Sequence, residues 1–310
     1  MQFWPRKRTK KLVASIRSWT SSKEPKILGF AGYKVGMTHV MITDNRKGTL
    51  TKGETISFPV TIVECPPLKA ASIRFYKNSY DGLKLVSEVV SEKLDKELAR
   101  KIIMPKKITK KAEDVKDYDD IKLLVYTQPK LTGIGKKKPE MFEMAIGGKK
   151  EEKLKYAQEV LGKDICAKDV LKEGQQLDAH AITKGKGFQG PIKRFGIGLK
   201  SHKQEKGRRR PGSLGGWRGQ GHVMYRVAHA GQMGYQQRTE YNKWLLKIGE
   251  KPEEINNKSG FNEYGVVRNT YLLIKGSLGG HVKRLVRFSN SIRADYKLPA
   301  EAPVISYTSK

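Results

Sequence analysis

From Lys26 onward the apolar positions mostly recur at strand spacing, in short runs broken by glycine or proline. Residues 27–42 (ILGFAGYKVGMTHVMI) read as two short strands around a glycine-rich turn, with Thr38, Val40 and Ile42 alternating against their neighbours. A third strand runs from Phe58 to Cys65 and is halted by Pro66-Pro67, and residues 70–76 and 82–90 are also strand-like. Several short strands so closely spaced predict a small barrel. The period then changes. Val90, Leu94, Leu98 and Ile102 recur every four residues, which predicts a helix ended by Pro105. Strands follow at residues 121–126 and 141–146, and a helix at 151–161 with Gly162 at its C-terminal end. Residues 176–183 return the chain to the barrel. Further on, Thr239 reads as an N-cap, and Tyr241, Trp244, Leu245 and Ile248 follow at helical spacing until Gly249. Residues 270–274 and 282–288 read as a closing strand pair across the turn at 276–280. The tail from Ser289 has little pattern and is read as lying on a partner's surface or free.

One stretch escapes this patterning. Residues 183–238 hold 13 Lys or Arg, 13 Gly and a single acid, Glu205. A patternless loop of such length inside a domain is either disordered or functional, and the interleaved Phe188, Phe195, Trp217, Tyr225 and Tyr235 argue against plain disorder. Charge sharpens the picture. The 310-residue chain carries a formal charge of +31, of which residues 183–238 contribute +12 and residues 1–27 contribute +7. Residues 86–165, with 19 bases against 15 acids, look instead like an ordinary α+β insertion. A localised excess of cations is the footprint of a nucleic-acid partner, because neutralising phosphates releases condensed counterions. The basic, serine-containing N-terminus is compatible with a transit peptide, but it lacks a long apolar region and reads better as an arm that enters nucleic acid.

Other chemistries are poorly supported. Residues 185–190 match GxGxxG after a strand, with Glu205 twenty residues beyond the first glycine, yet Pro191, Gly196 and Gly198 interrupt the helix a dinucleotide site needs. The histidines (His39, His180, His202, His222, His229 and His281) form no HExxH or other catalytic set, and no P-loop or GxSxG element is present. The two cysteines, Cys65 and Cys166, fit neither a disulfide framework nor a zinc site and suggest a reducing compartment. No cofactor, metal, membrane segment or obligate homo-oligomer is expected. Within residues 183–238, Arg208-Arg209-Arg210 presents planar guanidinium groups suited to phosphate or base, and Trp217 sits between glycines with nowhere local to bury its indole.

The segments GFAGYKVGMTHV, PVTIVECPP, ITKGKGFQGPIKRFG, GSLGGW, AHAGQMGYQQRTEYNK and KGS-x5-KRLVRF together resemble the large-subunit ribosomal protein L-three family, archaeal and eukaryotic type, across almost the whole chain. The resemblance implies a mainly β protein: a six-stranded closed barrel of translation-factor type with an α+β insertion, a basic finger and an N-terminal arm. On that reading the arm is 1–27, the barrel core 28–85 and 166–288, the insertion 86–165, the finger 183–238 and the C-terminal tail 289–310. It also implies a non-enzymatic constituent of cytoplasmic ribosomes, seated on large-subunit ribosomal RNA beside other ribosomal proteins, with arm and finger directed toward the peptidyl transferase centre. Candidate rRNA contacts in the arm are Arg6, Lys7, Arg8, Lys10 and Lys11. Those in the finger are Lys184, Lys186, Phe188, Lys193, Arg194, Lys206, Arg208, Arg209, Arg210, Trp217, Arg218, Arg226, Gln232, Tyr235 and Arg238. By family analogy Trp217 is the tip and the arginine cluster lies beside it. One departure stands out: relatives usually follow this tryptophan with His-Pro or Asn-Pro, whereas this chain has Arg218-Gly219-Gln220, which implies a more flexible and more cationic tip. Two other readings are an RNA-modifying enzyme with a basic channel, which would hold a bound methyl donor, and a DNA compactor, which would not prefer RNA.

Overall fold

The computed structural model describes residues 3–107, 110–216 and 221–310. The chain is mainly β and divides into two compact units, one of Met1–Leu12 with Ile182–Arg238 and the other of Val13–Ala181 with Thr239–Lys310. In chain order the strands and α-helices are β1 (Gly29–Thr43), β2 (Thr55–Glu64), β3 (Leu68–Ser79), β4 (Gly82–Val90), β5 (Asp120–Thr127), β6 (Met141–Ala145), α1 (Lys150–Val160), β7 (Asp164–Ile165), α2 (Ala167–Val170), β8 (Gln176–Ile182), β9 (Phe188–Gln189), α3 (Pro191–Phe195), β10 (Gly231–Gln232), β11 (Gln237–Gly249), β12 (Tyr271–Lys275), β13 (Leu285–Asn290) and β14 (Ile305–Thr308). Among the described residues, no helix is long and apolar enough to cross a membrane.

The larger unit carries the main sheet, in the order β13-β8-β11-β12-β2-β1-β14, with β13 also paired to β1. Its core is built from the inward positions of these strands, including Phe30, Tyr33, Val60, Ile62, Trp244, Leu272, Ile274 and Phe288, all essentially buried. Strand β1 explains why. It is one 15-residue strand, not two strands and a turn. Its glycines serve close packing: a Cβ on Gly29 would lie 2.2 Å from the Phe288 carbonyl oxygen, and one on Gly32 would lie 2.5 Å from Cys65 Sγ. A register shift between Lys34 and Gly36 bends the strand, so that its start pairs with β13 and the rest with β2.

Four further sequence expectations change. The helix expected over 239–249 is β11, because Leu246 is as buried as Trp244 and Leu245 while Tyr241 is exposed. A surface helix buries one face, whereas successive residues of a strand point to opposite faces, so the unbroken burial of Trp244, Leu245 and Leu246 means that both faces of β11 are covered there, while β8 and β12 pair its backbone. The helix expected over residues 90–102 is reduced to a 3-10 turn at Lys96–Arg100, although Leu94, Leu98 and Ile102 do share a small apolar cluster with Ala71 and Tyr126. Strands β12 and β13 are not a hairpin pair: β12 lies between β11 and β2, and β13 between β8 and β1. The tail is not patternless either, since Ser289 is buried at the end of β13 and β14 pairs with β1.

A second sheet, β4-β3-β5-β6 with β7 on β3, takes up β3 and β4 as well as the strands of the expected insertion. Spacing identifies these two strands but not their partners: Ile73 lies opposite Leu123 and Phe75 opposite Ile121, which buries all four side chains. Helix α1 ends as its sequence predicts, with Gly162 just beyond it at φ 74°. The sequence-defined arm also divides. Its first twelve residues belong to the smaller unit, but Val13 onward runs along the larger one, where Ala14 is buried. There the buried Arg287 donates from Nη1 to the Ala14 carbonyl (2.7 Å) and from Nη2 to the Glu143 carbonyl (2.5 Å), with its guanidinium 4.4 Å from the Phe142 ring centroid.

Candidate nucleic-acid interface

The smaller unit joins the two basic segments of the sequence. It contains 18 Lys or Arg and one acid, the exposed Glu205, so its charge cannot be balanced from within. Its apolar content is low, and the fold is held instead by backbone pairing and by arginines used as internal braces. At the root of the finger Thr183 N donates to Gln236 O (3.0 Å), Lys186 N to Met233 O (2.9 Å) and Met233 N to Gly187 O (2.8 Å), and β9 then pairs with β10. Gly234, at φ 70°, could carry no side chain, because a Cβ would lie 1.9 Å from the Lys184 carbonyl oxygen. The one-turn helix α3 starts at Pro191, where a proline costs no helix hydrogen bond, and Gly196 ends it at φ 69°. The GxGxxG stretch is thus followed by a helix after all, but one of five residues that leads into no βαβ unit.

Aromatic rings clasp the arm to the finger. Trp4 stacks on Phe195 at 5.9 Å and meets Tyr225 edge-on at 5.6 Å. Arg6 and Arg194 both approach Phe195, at 4.2 and 5.0 Å from its centroid, and Arg238 lies 4.6 Å from that of Phe3. Arg194 is the central brace: Nε donates to Gln232 O (3.0 Å), Nη1 to His229 O (3.0 Å) and Nη2 to Arg6 O (3.0 Å), while Arg6 Nη1 returns a bond to Arg194 O (2.5 Å). Arg238 bonds Gln237 O (2.8 Å) and Gln236 Oε1 (2.9 Å). Burial first, then the charge of Arg6, lowers both Arg194 and Arg238 from the ordinary guanidinium pKa.

The candidate contacts therefore separate into two groups. Arg6, Arg194, Gln232, Tyr235 and Arg238 are partly buried and engaged within the unit. Lys7, Arg8, Lys10, Lys11, Lys184, Lys186, Lys193, Lys206, Arg208, Arg209, Arg210 and Arg226 are exposed, as is the Phe188 ring at 78%. Residues 201–210 are exposed without interruption, and a turn pairs Lys200 N with Arg208 O (3.2 Å) to present the arginine cluster. Trp217 and Arg218 lie outside the described residues. The sequence reading missed the clasp formed by Phe3, Trp4, Phe195 and Tyr225. Its signal was the FW pair just before the basic run of the arm. No group of three or more His, Cys, Asp or Glu among the described residues could hold a metal ion. His180, in the larger unit, is a packing residue: its ring nitrogens lie 3.0 Å from Thr239 Oγ1 and 3.0 Å from Ser289 Oγ, and burial, then the charge of Arg287, lowers its pKa to about 4.

Comparison with known proteins gives this arrangement a lineage. A family model described as "Ribosomal protein L3" matches residues 1–310. The chain is 48% identical to the large ribosomal subunit protein uL3 of Methanobrevibacter smithii, over 99% of this chain and 94% of that relative. It is 47% identical to the protein of the same name from Archaeoglobus fulgidus (94% and 90%) and 44% identical to that from Methanocaldococcus jannaschii (100% and 94%). A whole-chain family match together with near full-length relatives at this identity shows that the chain belongs to the ribosomal protein L3 family, whose members are structural ribosomal proteins and not enzymes.

Proposed function

We propose that this protein is a structural constituent of the large ribosomal subunit, in the cytoplasm, and that its smaller unit binds and orders large-subunit rRNA near the peptidyl transferase centre. The observation that carries this reading is the uncompensated charge of the unit that joins arm and finger, with 18 cations, one acid and, among the described residues, an unbroken exposed run at 201–210. The exposed cations neutralise phosphates, and Phe188 and Trp217 offer planar surfaces to unpaired bases. The tip role is assigned to Trp217, which Arg218 follows in the sequence. The larger unit is the seat. Six strands of its main sheet, β13, β8, β11, β12, β2 and β1, close into a barrel, a reading supported by β13 having both β8 and β1 as neighbours, and the unit rests against rRNA and neighbouring ribosomal proteins as a single copy. The chemistry is indirect: the protein holds RNA geometry and takes no proton itself.

The test is to purify the chain and measure its binding to large-subunit rRNA in competition with duplex DNA, and its sedimentation with large subunits. Preference for rRNA and co-sedimentation are expected. Equal affinity for duplex DNA, or recovery of a tightly bound methyl donor, would overturn the reading. In assembled subunits Trp217→Ala should alter chemical probing of the peptidyl transferase region, and an unchanged pattern would remove the tip role.

A further inference from the structure

Within the smaller unit, the arm and the finger root enclose a cleft of about 650 Å³, with Arg8 and Lys10 on one side and Gly185, Gly187, Gln232 and Tyr235 on the other. That volume falls within the roughly 300–1,000 Å³ typical of sites for small organic ligands. The walls are fixed. Thr9 N donates to Tyr235 O at 2.9 Å, which ties the arm to the finger between its two cations. Arg8 and Lys10, on either side of Thr9, both line the cleft. Gln232 gives both of its amide hydrogens away, to Met233 O and Gly234 O at 3.1 Å each, so the group it offers a ligand is an acceptor oxygen.

Two local features mark the wall of this cleft. Tyr235 is held at φ 55°, a left-handed conformation uncommon for a bulky residue, and such conformations cluster where a ligand is gripped. Gly185 needs to be glycine for neither of the usual reasons. Its φ is outside the left-handed range, and a Cβ would meet Tyr235 Cβ and Cδ2 at an ordinary 3.6 Å. Gly187, by contrast, has φ 65° and requires glycine. Gly185 therefore lines the cleft with its backbone close against the tyrosine side chain, where a larger residue would project into the cleft.

We propose that this cleft takes one unstacked nucleotide of single-stranded RNA. Its base lies beside the Tyr235 ring, an amino or imino N–H of the base donates to Gln232 Oε1, and the adjoining phosphates rest on Arg8 and Lys10. A ring, an acceptor and two cations around one cavity match the three parts of a nucleotide, whereas a lone phosphate would use only the cations. The inference rests on the rRNA-binding reading above and narrows it to a single-nucleotide contact.

The experiment uses the full chain bound to large-subunit rRNA, probed with dimethyl sulfate, carbodiimide and kethoxal so that all four bases are covered. In the wild-type complex one unpaired nucleotide should be protected at its base. Gly185→Val fills the space beside the ring and should raise the reactivity of that nucleotide about tenfold and weaken rRNA binding about tenfold, with the salt dependence of binding unchanged because no phosphate contact is lost. Tyr235→Leu should expose the same nucleotide. If the wild-type complex forms but neither variant exposes one defined nucleotide, or if reactivity changes are spread over many, the cleft holds no base and the proposal falls. If the wild-type chain does not bind rRNA, the broader reading fails first.

Discussion

The two units solve the problem of carrying many cations in different ways. In the larger one, 44 Lys or Arg meet 30 acids, and many are neutralised locally: Arg46 on Asp44 at 2.9 Å, Lys69 on Asp95 at 2.8 Å and Lys153 on Asp120 at 2.7 Å. Asp44 shows how complete this can be. Arg46, Thr49 and Thr51 all bond its carboxylate, and the Arg46 bond leads in holding its pKa far below the usual range. In the smaller unit 18 cations face one acid, and there an arginine such as Arg194 is braced by carbonyl oxygens, which orient a guanidinium without cancelling its charge. The larger unit is stabilised by an apolar core and offsets about two thirds of its cations with its own acids. The smaller is held by backbone pairing, rings and braces, and leaves nearly all of its charge uncompensated. Mutations in the first should change stability, and mutations in the second should change salt-dependent binding.

The largest expected effect is at Trp244, fully buried with Nε1 donating to Gly174 O at 2.9 Å. Trp244→Ala should lower unfolding stability by about 3–5 kcal/mol in urea titrations, with the salt slope of rRNA binding unaltered for the fraction that stays folded. Next is Arg194→Ala, which strips three carbonyls of their donor and should loosen the smaller unit by about 1–3 kcal/mol, read as faster hydrogen exchange at the Thr9 and Met233 amides. Its direct effect on the salt slope should be less than one unit, since most of its donors are already engaged.

A smaller effect concerns pH. His180 titrates near 4 in the folded chain and near 6.5 when unfolded, so below pH 6.5 the unfolded chain binds the extra proton. Its contribution to stability is complete above that value and is lost as pH falls toward 4, with a loss of about 1–2 kcal/mol by pH 5. His180→Gln should flatten that part of the urea-midpoint profile. Smallest of all is Lys77→Ala. It removes the exposed Lys77–Asp117 pair (2.5 Å) and should leave both stability and salt slope unchanged within error. A marked change in slope there would break the division of labour between the units.

How far the sequence revealed this arrangement depended on whether the signal was local. The charge of residues 1–27 and 183–238 could be read directly, because solvated cations need no tertiary partner. So could α1, whose C-terminal end Gly162 marks. Strand β11 could not, since Trp244, Leu245 and Ile248 fit a period of 3.6 as well as a strand buried on both faces, and only the neighbours β8 and β12 decide between them. The glycines of β1 misled for a similar reason: Gly29 and Gly32 make room for Phe288 and Cys65, which are far away in sequence. The clasp of Phe3 and Trp4 with the finger was hidden because a residue near the N-terminus gives no indication that its partner is Phe195 or Arg238.

The central claim is that the smaller unit holds its charge for RNA phosphates, and it is tested most directly at the exposed arginine cluster. The salt dependence of large-subunit rRNA binding should be measured for the wild-type chain and for Arg208→Ala/Arg209→Ala/Arg210→Ala across a range of salt concentrations. The account predicts weaker binding and a log–log slope reduced by about two to three units, close to one per lost phosphate contact. A slope equal to that of the wild type would mean that these arginines face solvent in the complex, and would contradict it.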